Sequence, residues 1–148
     1  MIIKDRLTLG VVSGVAATIP QLIFNYISVQ LGYSQYYDFQ ISGSVYLYRN
    51  LTYTWGGMLL GGITWSGTGA GLGIVTVYLM DKTGSDYWWL KGILISNAIM
   101  YTFIYGFFFS SLAPTIVPWD LGTNFSMIIE NALYGISLGF LVVRWGGF

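Results

Sequence analysis

Four long runs nearly free of Asp, Glu, Lys and Arg dominate this chain, and they constrain its fold more than any other feature. They extend from about Leu7 to Leu31, Leu51 to Met80, Trp88 to Leu112 and Asn124 to Val143. A membrane-crossing helix needs about 20 mainly apolar residues to span roughly 30 Å of hydrocarbon, and each run meets that length. Transmembrane strands would instead alternate apolar and polar residues over segments of about ten. The expected fold is therefore all-α, with four transmembrane helices in a single bundle forming one domain over residues 1–148. Composition agrees, because only 8% of the 148 residues are charged and 55% are apolar, whereas a water-facing domain carries about 25% charged residues. The first run continues without charge to Tyr37, too far for the short apolar core of a signal peptide, so it is expected to remain as a span.

Charge places the ends. Lys4, Arg6, Lys82, Lys91 and Arg144 fall on one side of the spans and Arg49 alone on the other, so both termini are expected in the cytoplasm. The turn Asp81–Asp86 reads as a tight helical hairpin, with Gly84 as a left-handed cap and Ser85 as the next N-cap. The opposite segment, Gly32 to Asn50, is dense in Tyr33, Tyr36, Tyr37, Phe39, Tyr46 and Tyr48 and is expected to lie in the membrane interface, where tyrosine rings are favoured. Pro114 and Pro118 stop the third span before the fourth begins.

Several function classes are excluded or weakened. Zero net charge without a basic cluster gives nothing to neutralise phosphates, so nucleic acid is not an expected partner. Without Cys or His there is no thiolate chemistry and no usual zinc ligand. No cofactor or metal is expected. With no nucleophile–base pair and no carboxylates foreseen within reach of one another, an enzyme is not expected either. The glycine-rich Gly67–Gly73 stretch matches neither dinucleotide nor P-loop spacing and lies in mid-span.

Small residues carry the packing signal. The second span holds eight glycines between Gly56 and Gly73, costly in water but useful in lipid, where they let helix backbones approach. At 3.6 residues per turn, Gly57, Gly61, Thr64, Thr68 and Gly71 share one face, and Gly62, Ser66, Gly69 and Gly73 fall nearly opposite. Gly10, Gly14 and Thr18 form a stripe on the first span, and Gly135 and Gly139 another on the fourth. In a simple bundle one face of the second span would lack an internal partner, so it is expected to pack against a second copy of the chain.

Glu130 is the one ionisable side chain placed well inside a span, about 9 Å from its outer end at 1.5 Å per residue. Asn25 and Tyr105 fall at similar depth, and Gln21 lies one turn below Asn25, so Glu130, Asn25, Gln21 and Tyr105 form a candidate intramembrane polar site. One reading is a proton- or cation-responsive site. The other, preferred because a lone carboxylate makes an incomplete relay, is a hydrogen-bonded Glu that fixes helix register with help from Asn131. Asn97 is expected to bond a Ser or Thr of the second span, and Pro20 to kink the first.

Ser13-Gly14, Tyr78-Leu79 followed by Thr83-Gly84, and Leu90-Lys91-Gly92 resemble the corresponding phrases of small four-span bacterial integral membrane proteins. That resemblance implies the four-helix fold and carries no functional residues. Small multidrug transporters place their essential Glu in the first span, where this chain has Pro20 and Gln21. Fluoride channels carry a G-G-x-x-G-A-x-x-R pattern that is absent here. Holins usually end in a charged tail, which the final Arg144–Phe148 segment does not provide. The expected protein is thus a multi-pass cell-membrane protein, surrounded by lipid and self-associating in a structural or assembly role. The competing reading is a small channel or transporter built on Glu130.

Overall fold

The computed structural model describes residues 2–148. In chain order the elements are α1 (Arg6–Gln30), α2 (Asp38–Gly43), a 3-10 turn (Arg49–Leu51), α3 (Trp55–Thr83), α4 (Trp88–Ile95), a π-helix (Ser96–Phe109) that continues α4 without a break, and α5 (Leu121–Gly146). No strand occurs among the described residues. Four of these helical segments, counting α4 with its π-helical extension, are long and apolar enough to cross a membrane.

Local signals fix the helix starts. Asp5, Thr54 and Asp120 each cap a first turn, accepting from the backbone N–H of Thr8 at 2.7 Å, Gly57 at 3.2 Å and Thr123 at 2.7 Å, so each satisfies an N–H that has no partner inside its helix. The hairpin between α3 and α4 differs from the expected capping. Gly84 has a positive φ of 79°, as its position after a helix end requires, but Tyr87 and not Ser85 is the N-cap of α4. Lys91 reaches back instead, its Nζ donating to the carbonyls of Thr83 at 3.1 Å and Gly84 at 2.8 Å. A basic side chain there also complements the dipole at the end of α3.

Both termini and this hairpin meet at one end of the bundle. Arg6 pairs with Asp81 at 2.9 Å, its guanidinium lies 4.6 Å from the Phe148 ring centroid, and the Ile3 N–H donates to the Trp145 carbonyl at 2.8 Å. We call this the basic end and the opposite one the tyrosine end.

Glycine brings the helices into backbone contact. Gly10 and Gly14 of α1 lie against Ile74, Gly69 and Ala70 of α3, and Gly73 lies against Gly10 and Gly14. On the other side of the bundle Gly92 of α4 meets Gly135 of α5, and Gly139 meets Trp88. A Cβ at Gly14, Gly73, Gly92 or Gly135 would strike a backbone carbonyl, so helix separation at these points depends on glycine. The Gly57 and Gly61 part of the other glycine face of α3 is covered from within the same chain. Gly57 faces Leu51 and Thr52, Gly61 faces the Phe39 backbone, and Gly62 touches the Phe39 ring. Gly56, Gly67 and Gly71 face nothing.

The covering element is α2, which corrects the reading of Gly32 to Asn50 as a segment lying flat in the interface. Tyr33, Tyr46 and Tyr48 are exposed as that reading required, but Asp38, Gln40, Ile41, Ser42 and Gly43 are buried. The bundle leaves room for this wedge. α1 packs on both α3 and α5, and α5 packs on α4 and its π-helical extension, whereas α3 and the π-helix barely touch.

Candidate functional site

Asn25 organises the buried polar centre. Its Nδ2 donates to Glu130 Oε1 at 3.2 Å, and its Oδ1 accepts from the backbone N–H of Asp38 at 3.1 Å. One amide therefore ties α1 to α5 and to the start of α2. The spacing that permits this is helical: Asn25 and Ser28 stand three apart on α1, and Ser126 and Glu130 four apart on α5. Ser28 and Ser126 hydrogen-bond through their hydroxyls, and Ser126 stands one turn from Glu130 on α5.

The α2 wedge delivers a second acid to this centre. Asp38 and Glu130 are each only 1% exposed, and their carboxyl groups lie beside one another, near enough for each to perturb the other and to share a proton. This overturns the expectation that Glu130 lacks an acidic neighbour and that no paired carboxylates lie within reach. If both groups were ionised neither could donate, and Asp38 Oδ1, Asp38 Oδ2 and Glu130 Oε2 would all be buried without a donor. One shared proton turns one acid into a donor to the other and removes the repulsion between like charges. Burial, and after it the Glu130 charge, hold the Asp38 carboxyl well above the usual carboxylate range.

Gln21 lies one turn deeper. It is 2% exposed and lines a small void with Thr18, Thr68, Asn131 and Tyr134, where about 10 Å³ is open to the centre of a water molecule, room for about one water. The Tyr134 hydroxyl donates to the Gly69 carbonyl at 2.7 Å, and Asn131 Nδ2 donates to Met127 O at 2.8 Å. Below the void Leu9, Val77, Met80, Leu138 and Val142 are fully buried towards the basic end, and the buried hydroxyls of Ser13, Thr76 and Ser96 are spent on carbonyls one turn back along the chain.

Tyr105 does not belong to this centre. It stacks on Tyr101 and Phe109, its hydroxyl donates to the Pro118 carbonyl at 3.5 Å, and it packs in a separate cluster with Ile41 and Met127. A π-helix advances the chain differently from the α-helix assumed in placing Tyr105, so its direction was misread. Asn97 likewise finds no hydroxyl of α3, and its buried Oδ1 has no partner.

Where α3 and the π-helix diverge, a cleft of about 190 Å³ opens. Its walls come from α2, α3, the π-helix and α5, and Trp65, Thr68 and Met100 also line the small void beside Gln21. No family model, curated protein or solved structure matches this chain.

Proposed function

We propose that this is a small multi-pass membrane transport protein in which the Asp38–Glu130 pair is the proton- or cation-responsive element. The observation that carries the reading is the carboxyl pair itself. An ionisable residue inside a membrane bundle is costly and marks a functional site by default. As a purely structural link the pair is a poor choice, because two acids need a proton to avoid repulsion, whereas an amide in either place supplies a donor without one. The polar column above the pair, formed by Asn25, Ser28 and Ser126, and the closely packed basic end below it suit a site that exchanges with one side at a time.

The test is proton flux into proteoliposomes carrying a pH-sensitive dye. The wild type is expected to exceed empty liposomes by at least tenfold, and Glu130→Gln and Asp38→Asn to return flux to background while keeping the same elution volume in detergent. Equal flux in wild type and both variants overturns the proposal.

A second reading, self-association in the cell membrane with a structural role, draws support from one observation. Gly56, Gly67 and Gly71 of α3 face nothing in the chain, and lipid gains less from such a groove than a second helix does.

A further inference from the structure

The cleft between α3 and the π-helix has walls of a particular chemistry. Trp65, Tyr105, Phe108 and Phe109 supply aromatic surface, and the polar groups are the hydroxyls of Ser42, Thr64 and Thr68, the phenols of Tyr46 and Tyr105 and the indole N–H of Trp65. The three aliphatic hydroxyls donate their protons to helix carbonyls: Ser42 to Gly61 at 2.9 Å, Thr64 to Leu60 at 3.0 Å and Thr68 to Thr64 at 3.0 Å. A hydroxyl has one proton, so what remains to each of them is lone pairs. No Lys or Arg lines the cleft.

The acids stand one helical turn from this wall. Ile41 and Ser42, which line the cleft, are one helical turn from Asp38, and Met127, which also lines it, is one turn from Glu130. A carboxyl pair that shares one proton keeps one net negative charge. In a low-dielectric interior that charge acts over several ångströms with little screening. Aromatic faces add attraction for a cation through their quadrupoles.

We propose that the cleft binds an organic monocation with a lipophilic body, entering sideways between α3 and the π-helix. This deepens the transport reading above and rests on it for the role of the acid pair. The aromatic walls take the apolar body, and the lone pairs and the carboxyl pair stabilise the positive charge. An anion meets no cationic side chain there and faces the charge of the carboxyl pair, and a neutral molecule of the same shape gains the apolar contact only.

The experiment compares phenyltrimethylammonium with tert-butylbenzene, which have the same shape and differ in charge, by equilibrium dialysis against the full chain in lipid nanodiscs, with empty nanodiscs subtracted. The cation is expected to bind at least tenfold more tightly than the neutral compound. The double variant Asp38→Asn/Glu130→Gln is expected to lose that preference while retaining its thermal transition, and Trp65→Leu is expected to weaken both ligands. Equal binding of the two compounds, or a preference that survives in the double variant, overturns the proposal. A cation affinity that disappears in phosphatidylcholine nanodiscs but persists in phosphatidylethanolamine identifies a lipid headgroup as the occupant and overturns it as well. Loss of cation binding with intact proton flux defeats the ligand assignment alone. Cation binding without proton flux supports the cleft and defeats the proton-linked reading.

Discussion

The two ends of the bundle are built by different physics. At the basic end, α1, α3, α4 and α5 close on glycine and aliphatic side chains, with Leu9, Val77, Leu138 and Val142 wholly buried and Gly10, Gly14 and Gly73 bringing backbones together. At the tyrosine end α3 parts from the π-helical continuation of α4, and the space is filled by α2 with Asp38, Gln40 and Ser42 buried. Dispersion between close backbones is insensitive to pH and unforgiving of volume. A carboxyl pair is sensitive to pH and tolerant of isosteric change. The comparison teaches that one half of the molecule is a fixed clasp and the other a wedge whose seating depends on a proton.

Volume added to the clasp is expected to give the largest effect. Gly73→Leu puts a side chain into the Gly10 carbonyl and should cost at least about 3 kcal/mol, seen as loss of the folded elution peak in mild detergent. Gly61→Leu, which drives into the Phe39 backbone, should unseat α2, while Gly62→Leu meets only the movable Phe39 ring and should be tolerated. Equal damage from both would break the distinction between clasp and wedge.

A smaller effect is expected from the acids. Glu130→Leu leaves the Asn25 amide and the Asp38 carboxyl without their partner and should lower stability by about 2 to 3 kcal/mol, whereas Glu130→Gln, which keeps shape and hydrogen bonding, should stay within about 1 kcal/mol by thermal unfolding.

The pH dependence sharpens the comparison further. Asp38 is raised in the fold, so above about pH 4, its ordinary value, the unfolded chain loses this proton while the native chain keeps it. The native state then binds more protons, and stability must fall as pH rises towards the elevated native value, by up to about 1.4 kcal/mol per pH unit. Asp38→Asn should flatten this slope in scans between pH 4 and 8, and a slope unchanged in the variant would show that α2 is not seated by its proton.

The smallest effects concern the outer surface. A Cys at Tyr48, which is 77% exposed, is expected to react with an impermeant maleimide in intact cells, and a Cys at Ser85 only after membrane disruption. The reverse pattern would place the termini outside. Gly71→Leu, facing open space, should leave the fold unchanged and lower the oligomeric mass if copies pack there.

Much of the fold was legible because hydrophobic length is a local property. Four apolar runs long enough for a bilayer gave four helices, whose starts the structure places at Arg6, Trp55, Trp88 and Leu121. Half of the candidate site was legible too. The depth of Glu130 and Asn25 followed from counting residues along helices, and these two side chains do bond. Asp38 was passed over because it stands outside the apolar runs among tyrosines, in a segment whose composition reads as interfacial. The signal available was a single acid followed two residues later by Gln40, whose Oε1 accepts from the Tyr37 N–H at 3.0 Å and so starts a helix at Asp38.

The sequence by itself determined the number of spans, the basic end and how far along their helices Glu130 and Asn25 stand, since these depend on composition and the rise of a helix. Tertiary structure decided that Asp38 meets Glu130, that Tyr105 turns away, and that α2 covers Gly61 on the second glycine face of α3. Those outcomes depend on where helices diverge and which segment fills the gap. Such contacts join residues as distant in the chain as Asn25 and Glu130, and no local pattern encodes that pairing.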